Sequence, residues 1–144
     1  MTTGQQVSTS PSTLLQRFHE AEGAYFASDG KEFPSLDGVL HPDFVLVEPD
    51  SGPYGGEWRG VAGLERFLRA MNDDWSEMGP QEPPELVEDG DTVVALATIA
   101  AVSRSTGRRV TFPLCQVARF SDGLLVETRV FYWDTAEMNA ALGR

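Results

Sequence analysis

The sequence predicts an α+β domain in which helices cover one face of a curled antiparallel sheet. Two observations support this fold class. Apolar residues recur at helical spacing through much of residues 13–78, whereas residues 92–133 form three long strand-like runs separated by short turns. Helices followed by an antiparallel meander are typical of a sheet that buries one face beneath helices. We expect a single domain over residues 13–144, preceded by a disordered polar tail over residues 1–12.

The composition disfavours several function classes. Asp and Glu total 22 against 11 Lys and Arg, and the formal net charge of −11 disfavours binding to nucleic acid or to anionic membranes. Two histidines and one cysteine without clustered spacing indicate no metal site and no disulfide, and no cofactor is expected. The N-terminal segment lacks the apolar core of a signal peptide and no apolar run could span a membrane, so a cytoplasmic protein is expected.

The first element is predicted to be a helix from about residue 13 to residue 27. Thr13 and Gln16 have the spacing of a capping box. The apolar residues on one face of this helix are Leu14, Leu15, Phe18, Tyr25 and Phe26. A short second helix is expected over residues 33–40, ending near His41-Pro42.

The most informative stretch runs from residue 44 to residue 67. It opens as a strand in which Phe44, Leu46 and Glu48 alternate with two valines, so both faces are apolar until the carboxylate arrives. Pro49 cannot donate a ladder hydrogen bond and ends the strand. A loop rich in Gly and Pro follows over residues 50–60. Glu48 is therefore expected at the mouth of a layer, beneath this loop.

The elements after the loop are a long helix and then strands. The apolar stripe of the helix, spaced three and four residues apart over about five turns, consists of Val61, Leu64, Leu68, Met71, Trp75 and Met78. A stiff proline-rich connector is expected over residues 80–84. The predicted strands cover residues 92–103, 109–120 and 124–133, with a further short strand at 85–88 and a last helical turn or two at 135–142.

Several short motifs occur in a fixed order along the chain. They are Glu48-Pro49, the Gly-x-x-Gly-Leu-x-x-Phe pattern of Gly60, Gly63, Leu64 and Phe67, Asp122-Gly123, and Tyr132-Trp133-Asp134. With these motifs, the chain from about residue 14 to residue 142 resembles the nuclear transport factor 2-like superfamily. Within it, the chain is most similar to the polyketide-cyclase-like (SnoaL-like) and ketosteroid-isomerase-like proteins. The resemblance implies a cone-shaped, curved mixed sheet, also called cystatin-like, wrapped around N-terminal helices and enclosing a mostly apolar cavity.

The resemblance also implies a catalytic site. Ketosteroid isomerases carry their general base directly before the proline, which is Glu48 here, and their oxyanion-holding acid corresponds to Gln116. Arg129 would complete the catalytic set. The residues expected to contact substrate are Tyr54, Trp58, Ile99, Glu127, Phe131 and Trp133. Epoxide hydrolases of the superfamily need an Asp–Arg–Asp set where this chain has Ile99, Ala101 and Phe131, so that activity is disfavoured.

The ionisation of Glu48 depends on its partner. Alone in an apolar cavity, its pKa would rise from about 4.3 toward roughly 6–7, which suits acid–base catalysis. Paired with Arg129, it would stay ionised and be a weaker base. Glu127 lies two residues from Arg129 and can bind the arginine instead. The sequence leaves both arrangements open.

The predicted function is a pocket protein for a small apolar or carbonyl-containing molecule. The leading hypothesis is a cofactor-free isomerase or cyclase in which Glu48 removes a proton next to a carbonyl. The alternative is a non-catalytic ligand-binding or dimeric interaction domain of the same fold. A homodimer is expected, and it would bury the convex sheet face predicted to carry Val126, Val130 and Tyr132.

Overall fold

The computed structural model describes residues 9–144, and residues 1–8, which hold most of the predicted polar tail, lie outside the described residues. The helices are α1 (Pro11–Ala27), α2 (Gly60–Asp74) and α3 (Thr135–Ala141). The strands are β1 (Leu40–Glu48), β2 (Gly56–Arg59), β3 (Trp75–Pro80), β4 (Glu85–Asp89), β5 (Thr92–Ser103), β6 (Arg109–Ser121) and β7 (Leu124–Tyr132).

Within residues 9–144, the strands form one curled mixed sheet with the order β2-β1-β7-β6-β5-β3, and β4 also pairs with β5. The β1–β7 pair is parallel and the other pairs are antiparallel. The curled sheet wraps around α1 and α2, and the α+β cone-like fold that the sequence predicted is confirmed. The core lies between the concave sheet face and these helices, where Leu15, Phe18, Leu64 and Leu125 are fully buried.

The N-terminal half of the chain differs from its prediction in two places. Helix α1 begins at Pro11 because the Ser10 side chain, not Thr13, caps it by accepting a hydrogen bond from the Thr13 amide. The helix predicted over residues 33–40 is absent, and the segment forms turns before β1 begins at Leu40. Gly38, inside the predicted helix, takes a positive φ of 78°, which a right-handed helix does not allow.

The long helix is shorter than its apolar stripe predicted. It ends at Asp74, and Trp75 and Met78 belong to β3. A register shift between Trp75 and Glu77 puts Trp75 and Met78, three residues apart, on the inner side of the sheet. The apolar spacing of a helix therefore continues into a bulged strand, and periodicity does not reveal where one ends and the other begins.

Strand β7 contains the irregularity that matters most for the site. Its pairing with β6 shifts between Arg119 and Phe120, so that Leu125 lies opposite Phe120 while Glu127 lies opposite Arg119. Val126 is the extra residue, and the inner face passes from odd to even numbers across it. Beyond Val126 the inward residues are Thr128, Val130 and Tyr132.

Candidate functional site

A cavity of about 200 Å³ lies between the concave sheet face and helix α1. Its walls are predominantly apolar. The apolar side chains that line it are Phe26, Leu46, Phe67, Met71, Met78, Pro80, Pro84, Ala95, Ala97, Ile99, Phe112, Leu114 and Val130. The polar side chains that line it are His19, Glu22, Glu48, Gln116 and Tyr132. Ligand pockets typically show this combination of an apolar wall with a few convergent polar groups.

Glu48 projects inward from the last position of β1, after Phe44 and Leu46 on the same face. Only 3% of its surface is exposed. The Tyr132 hydroxyl lies 2.9 and 3.1 Å from the two carboxyl oxygens and donates to the carboxyl group. The pKa of Glu48 is raised to about 8. Burial is the largest cause of this rise, the Tyr132 hydrogen bond opposes it, and the charge of Glu22 adds to it.

Tyr132 is the group that restrains the rise in the Glu48 pKa. Burial and the neighbouring Glu48 carboxyl raise the pKa of the Tyr132 phenol well above its ordinary value of 10.0. The phenol therefore keeps its proton at physiological pH and remains a donor.

Helix α1 contributes the polar groups on the opposite wall. His19 and Glu22 are one turn apart and share the face that lines the cavity. The His19 Nε2 lies 2.7 Å from the Gln116 side-chain oxygen, so Nε2 carries the proton and donates. Burial lowers the pKa of His19 and favours the neutral ring, although the Gln116 contact opposes the shift. Burial alone raises the pKa of Glu22 to about 8.

The sequence placed Glu48, Gln116 and Ile99 in the cavity, and the structure puts all of them on its wall. It places the six other predicted residues elsewhere, four of them on or near strand β7. Arg129, Phe131 and Trp133 lie on the outer sheet face and are exposed, and Glu127 lies beside them. The prediction that these side chains point inward is wrong, because the bulge at Val126 reverses the faces of β7.

The sequence left open whether Arg129 pairs with Glu48 or with Glu127, and the structure pairs it with Glu127. Arg129 Nε lies 3.5 Å from Glu127 Oε2 on the outer face, and the partner of Glu48 is Tyr132. Among the described residues that line the cavity, the polar ones are acids, an amide, a phenol and a largely neutral imidazole. The interior therefore offers hydrogen bonds and carboxyl groups, without a cation that would attract an anionic ligand.

The two aromatic residues of the loop pack against α2 and do not line the cavity. The Tyr54 hydroxyl donates to Asp74 at 2.8 Å and accepts from the Trp75 indole at 2.8 Å. The Trp58 indole donates to the Tyr54 carbonyl and packs against Phe67. The predicted ligand-contacting positions of Tyr54 and Trp58 are thus wrong, and these residues anchor the loop that covers the end of β1.

Sequence reasoning missed three polar residues of the cavity. His19 and Glu22 lie next to the apolar face of α1 and are three residues apart. A helical wheel that included polar residues would place both side chains on the side of the helix that faces the sheet. Tyr132 was assigned to the convex face, and a bulge of one residue leaves no mark in the sequence of β7.

Of the residues that the structure describes, none form a cluster of three or more His, Cys, Asp or Glu suited to a metal ion.

The chain belongs to the SnoaL-like domain family, because the model of that family matches residues 16–128. No match to a curated protein was found. Within the described residues, no helix is long and apolar enough to cross a membrane.

Solved structures share the fold over nearly the whole chain. An NTF2-like protein of unknown function from Burkholderia pseudomallei is 26% identical, with a TM-score of 0.74 over 94% of this chain and 100% of that one. TerC, co-crystallised with polyporic acid, is 24% identical, with a TM-score of 0.72 over 94% and 100% of the two chains. A putative SnoaL-like polyketide cyclase from Jannaschia is 16% identical, with a TM-score of 0.74 over 98% and 99%.

Proposed function

We propose that this protein is a cofactor-independent isomerase or cyclase that acts on a small, uncharged carbonyl compound. The observation that carries the proposal is the environment of Glu48. Its carboxyl is buried in an apolar cavity, receives a hydrogen bond from Tyr132, and has a pKa raised to about 8. A carboxyl group with this proton affinity is a stronger base than an exposed glutamate and remains partly ionised near neutral pH.

In the proposed reaction, the Glu48 carboxylate removes a proton from a carbon next to the substrate carbonyl. The C–H electron pair becomes the C=C bond of an enolate or enol, and the negative charge moves to the carbonyl oxygen. In an isomerase, Glu48 returns the proton to a different carbon. In a cyclase, the nucleophilic carbon attacks a second carbonyl, whose oxygen takes the proton from Glu48. Both reactions are redox-neutral. The isomerisation consists of proton transfers alone, and the cyclisation also forms a carbon–carbon bond as the π bond of the second carbonyl breaks.

Gln116 is the second proposed catalytic residue. Its side chain is 7% exposed, and its oxygen accepts from His19 at 2.7 Å. The amide nitrogen of the same side chain is a donor that can bind a carbonyl oxygen. A Gln amide stabilises a developing oxyanion through such a hydrogen bond without giving up a proton.

The cavity favours a compact and uncharged substrate. A volume of about 200 Å³ is below the roughly 300–1,000 Å³ of pockets that hold drug-sized ligands. The apolar walls match a hydrocarbon or aromatic ring, and a carboxylate would be costly to bury among them without a cation as partner. Arg129, which the sequence predicted to belong to the catalytic set, is on the outer face.

The test uses Glu48→Gln in two assays with simple ketones. Cyclohex-3-enone reports isomerisation to the conjugated enone by ultraviolet absorbance, and 2-tetralone reports proton removal by deuterium exchange in D₂O. We expect Glu48→Gln to lower kcat/KM about 10²–10⁴-fold, the usual contribution of a general base. Arg129→Gln is the matched control, because it changes charge outside the cavity, and it should leave both rates unchanged. Equal rates for wild type and Glu48→Gln would refute the mechanism.

A purely binding function makes the opposite prediction. A non-catalytic ligand-binding protein would catalyse neither reaction and would bind apolar ketones with an affinity insensitive to Glu48→Gln. Calorimetric titration with 2-tetralone, performed on the same two proteins, distinguishes the two functions.

A further inference from the structure

A second buried carboxyl group shares the cavity with Glu48. Glu22 reaches the cavity from α1, and Glu48 reaches it from β1 at the sheet wall. The other titratable groups that line the cavity are His19 from α1 and Tyr132 from β7. His19 is held by Gln116 and Tyr132 is held by Glu48, so Glu22 is the cavity acid without a role in the mechanism above.

The two carboxyl groups are coupled, because the charge of Glu22 raises the pKa of Glu48. When two carboxyl groups interact, the first to ionise makes the ionisation of the second more difficult. Over an interval of pH, the cavity therefore holds one carboxylate and one carboxylic acid.

The hydrogen bonds decide which group ionises first. Tyr132 donates to Glu48 at 2.9 and 3.1 Å, and this contact favours the charged form of Glu48. Burial is the one cause that shifts the pKa of Glu22, and no donor or cation counteracts it within the described structure. The Tyr132 hydrogen bond thus favours Glu48 as the carboxylate of the pair and Glu22 as the carboxylic acid.

We propose that Glu22 is a further catalytic residue, which donates a proton to the substrate carbonyl oxygen while Glu48 removes the proton from carbon. This inference rests on the proposed function and deepens it. The Glu22 O–H bond breaks as the enol O–H bond forms, and the C–H bond breaks as the Glu48 O–H bond forms. When the enol returns to the ketone, Glu22 recovers its proton from the enol oxygen, and Glu48 delivers its proton to carbon. Both carboxyl groups return to their starting states, and no other reactant is consumed.

A paired acid and base predict a bell-shaped dependence of kcat/KM on pH. The ascending limb follows ionisation of Glu48, and the descending limb follows loss of the proton from Glu22. His19, Tyr132 and Gln116 face the same space. Ionisation of Tyr132 lies above the pH range of the bell, and Gln116 does not titrate. Burial lowers the pKa of His19 and favours its neutral ring, although the Gln116 contact opposes the shift.

The experiment compares wild type, Glu22→Gln and Glu48→Gln with cyclohex-3-enone between pH 5 and pH 10. Glu22→Gln keeps a hydrogen-bond donor in place but cannot transfer a proton. We expect it to lower kcat/KM about 100-fold at the optimum and to remove the descending limb. Glu20→Gln is the matched control, because Glu20 is exposed on the same helix, and its rate and profile should equal those of wild type.

A carboxyl ¹³C NMR titration of the same variants provides a readout that needs no turnover. We expect two coupled steps in wild type, and a lower Glu48 pKa in Glu22→Gln, since the like charge that raises the Glu48 pKa is removed. A wild-type rate and an intact descending limb in Glu22→Gln would overturn the role of Glu22, while loss of activity in Glu48→Gln would still support the general base. A wild type that turns over no ketone would overturn both.

Discussion

The Glu48 carboxyl has a high proton affinity because it lies in an apolar cavity at the end of β1. One neutral group, the Tyr132 hydroxyl, donates a hydrogen bond to it there. Ionised carboxylates are costly to bury unless a cation or several donors surround them. Here Tyr132 is the hydrogen-bond donor, and Arg129 is occupied by Glu127 on the other face of the sheet. The site therefore favours a reactive carboxyl group over a stable ion pair.

Replacing Glu48 with Gln should stabilise the protein in a pH-dependent way. The pKa of Glu48 rises from 4.5 to about 8 on folding. Below pH 4.5 both the folded and the unfolded chain are protonated and burial carries no ionisation penalty. As the pH rises from 4.5 to about 8, the unfolded chain ionises first and wild type loses stability. Glu48→Gln should thus raise the free energy of unfolding by about 3 kcal/mol near pH 7 and have little effect at pH 4.

Urea denaturation at both pH values measures this difference. Glu127→Gln is the control, because its partly exposed pair with Arg129 should contribute less than about 1 kcal/mol. If Glu48→Gln instead destabilised the protein at pH 7, the carboxylate would be ionised and paired in the folded state.

The predictable residues of the site were those whose positions follow from strand alternation alone. Glu48, Gln116 and Ile99 lie in strand stretches where simple alternation holds, and all of them line the cavity. Arg129 and Tyr132 lie beyond the bulge at Val126. Arg129 was predicted on the inner sheet face and lies on the outer one, whereas Tyr132 was predicted on the outer face and lies on the inner one. A bulge is determined by the fit of neighbouring strands, so the local sequence of β7 does not specify it.

At the scale of elements, the sequence predicted most strands and the type of α1 and α2. It misplaced the end of α2 because Trp75 and Met78 keep helical spacing inside β3. The pairing of β3 with β5 and the hydrogen bond from the Arg104 amide to the Asp74 carbonyl determine that boundary. Both contacts join residues far apart in the chain, and a local pattern does not contain them.

Two helical glycines should respond oppositely to alanine. A Cβ at Gly63 in α2 would lie 2.7 Å from the Trp58 carbonyl carbon, so Gly63→Ala must separate the helix from the preceding strand. A Cβ at Gly23 in α1 would meet nothing within 4 Å. We expect Gly63→Ala to destabilise the fold by about 1–3 kcal/mol and Gly23→Ala to stabilise it by about 0.5–1 kcal/mol.

Thermal unfolding of the two variants, followed by circular dichroism at 222 nm, checks these signs. Equal melting temperatures for Gly63→Ala and wild type would show that α2 does not pack as closely on the end of β2 as the structure indicates.

At the scale of the whole molecule, the reversed faces of β7 relocate the expected dimer surface. Val130 and Tyr132 line the cavity and are not available to a partner. The outer sheet face instead exposes Leu96, Phe131 and Trp133. Cys115 lies between Phe131 and Leu96 in the strand pairing, and together they form an apolar row across three central strands.

We expect a homodimer to bury this apolar row against the same row of a second copy. A two-fold interface is self-complementary, and apolar groups at its centre lose contact with water in both copies. Phe131→Asp places four carboxylates near the centre of such an interface, including Glu127 of each copy, and should convert the dimer to a monomer in sedimentation velocity.

Val61→Asp, an exposed apolar position on α2, is the matched control and should remain dimeric. A monomeric wild type at about 100 μM would contradict the interface, whereas a dimeric Phe131→Asp would move it to another surface. Because Glu48 and Tyr132 face the interior of the same sheet, the Phe131→Asp monomer should retain the proposed ketone isomerase activity at the wild-type level.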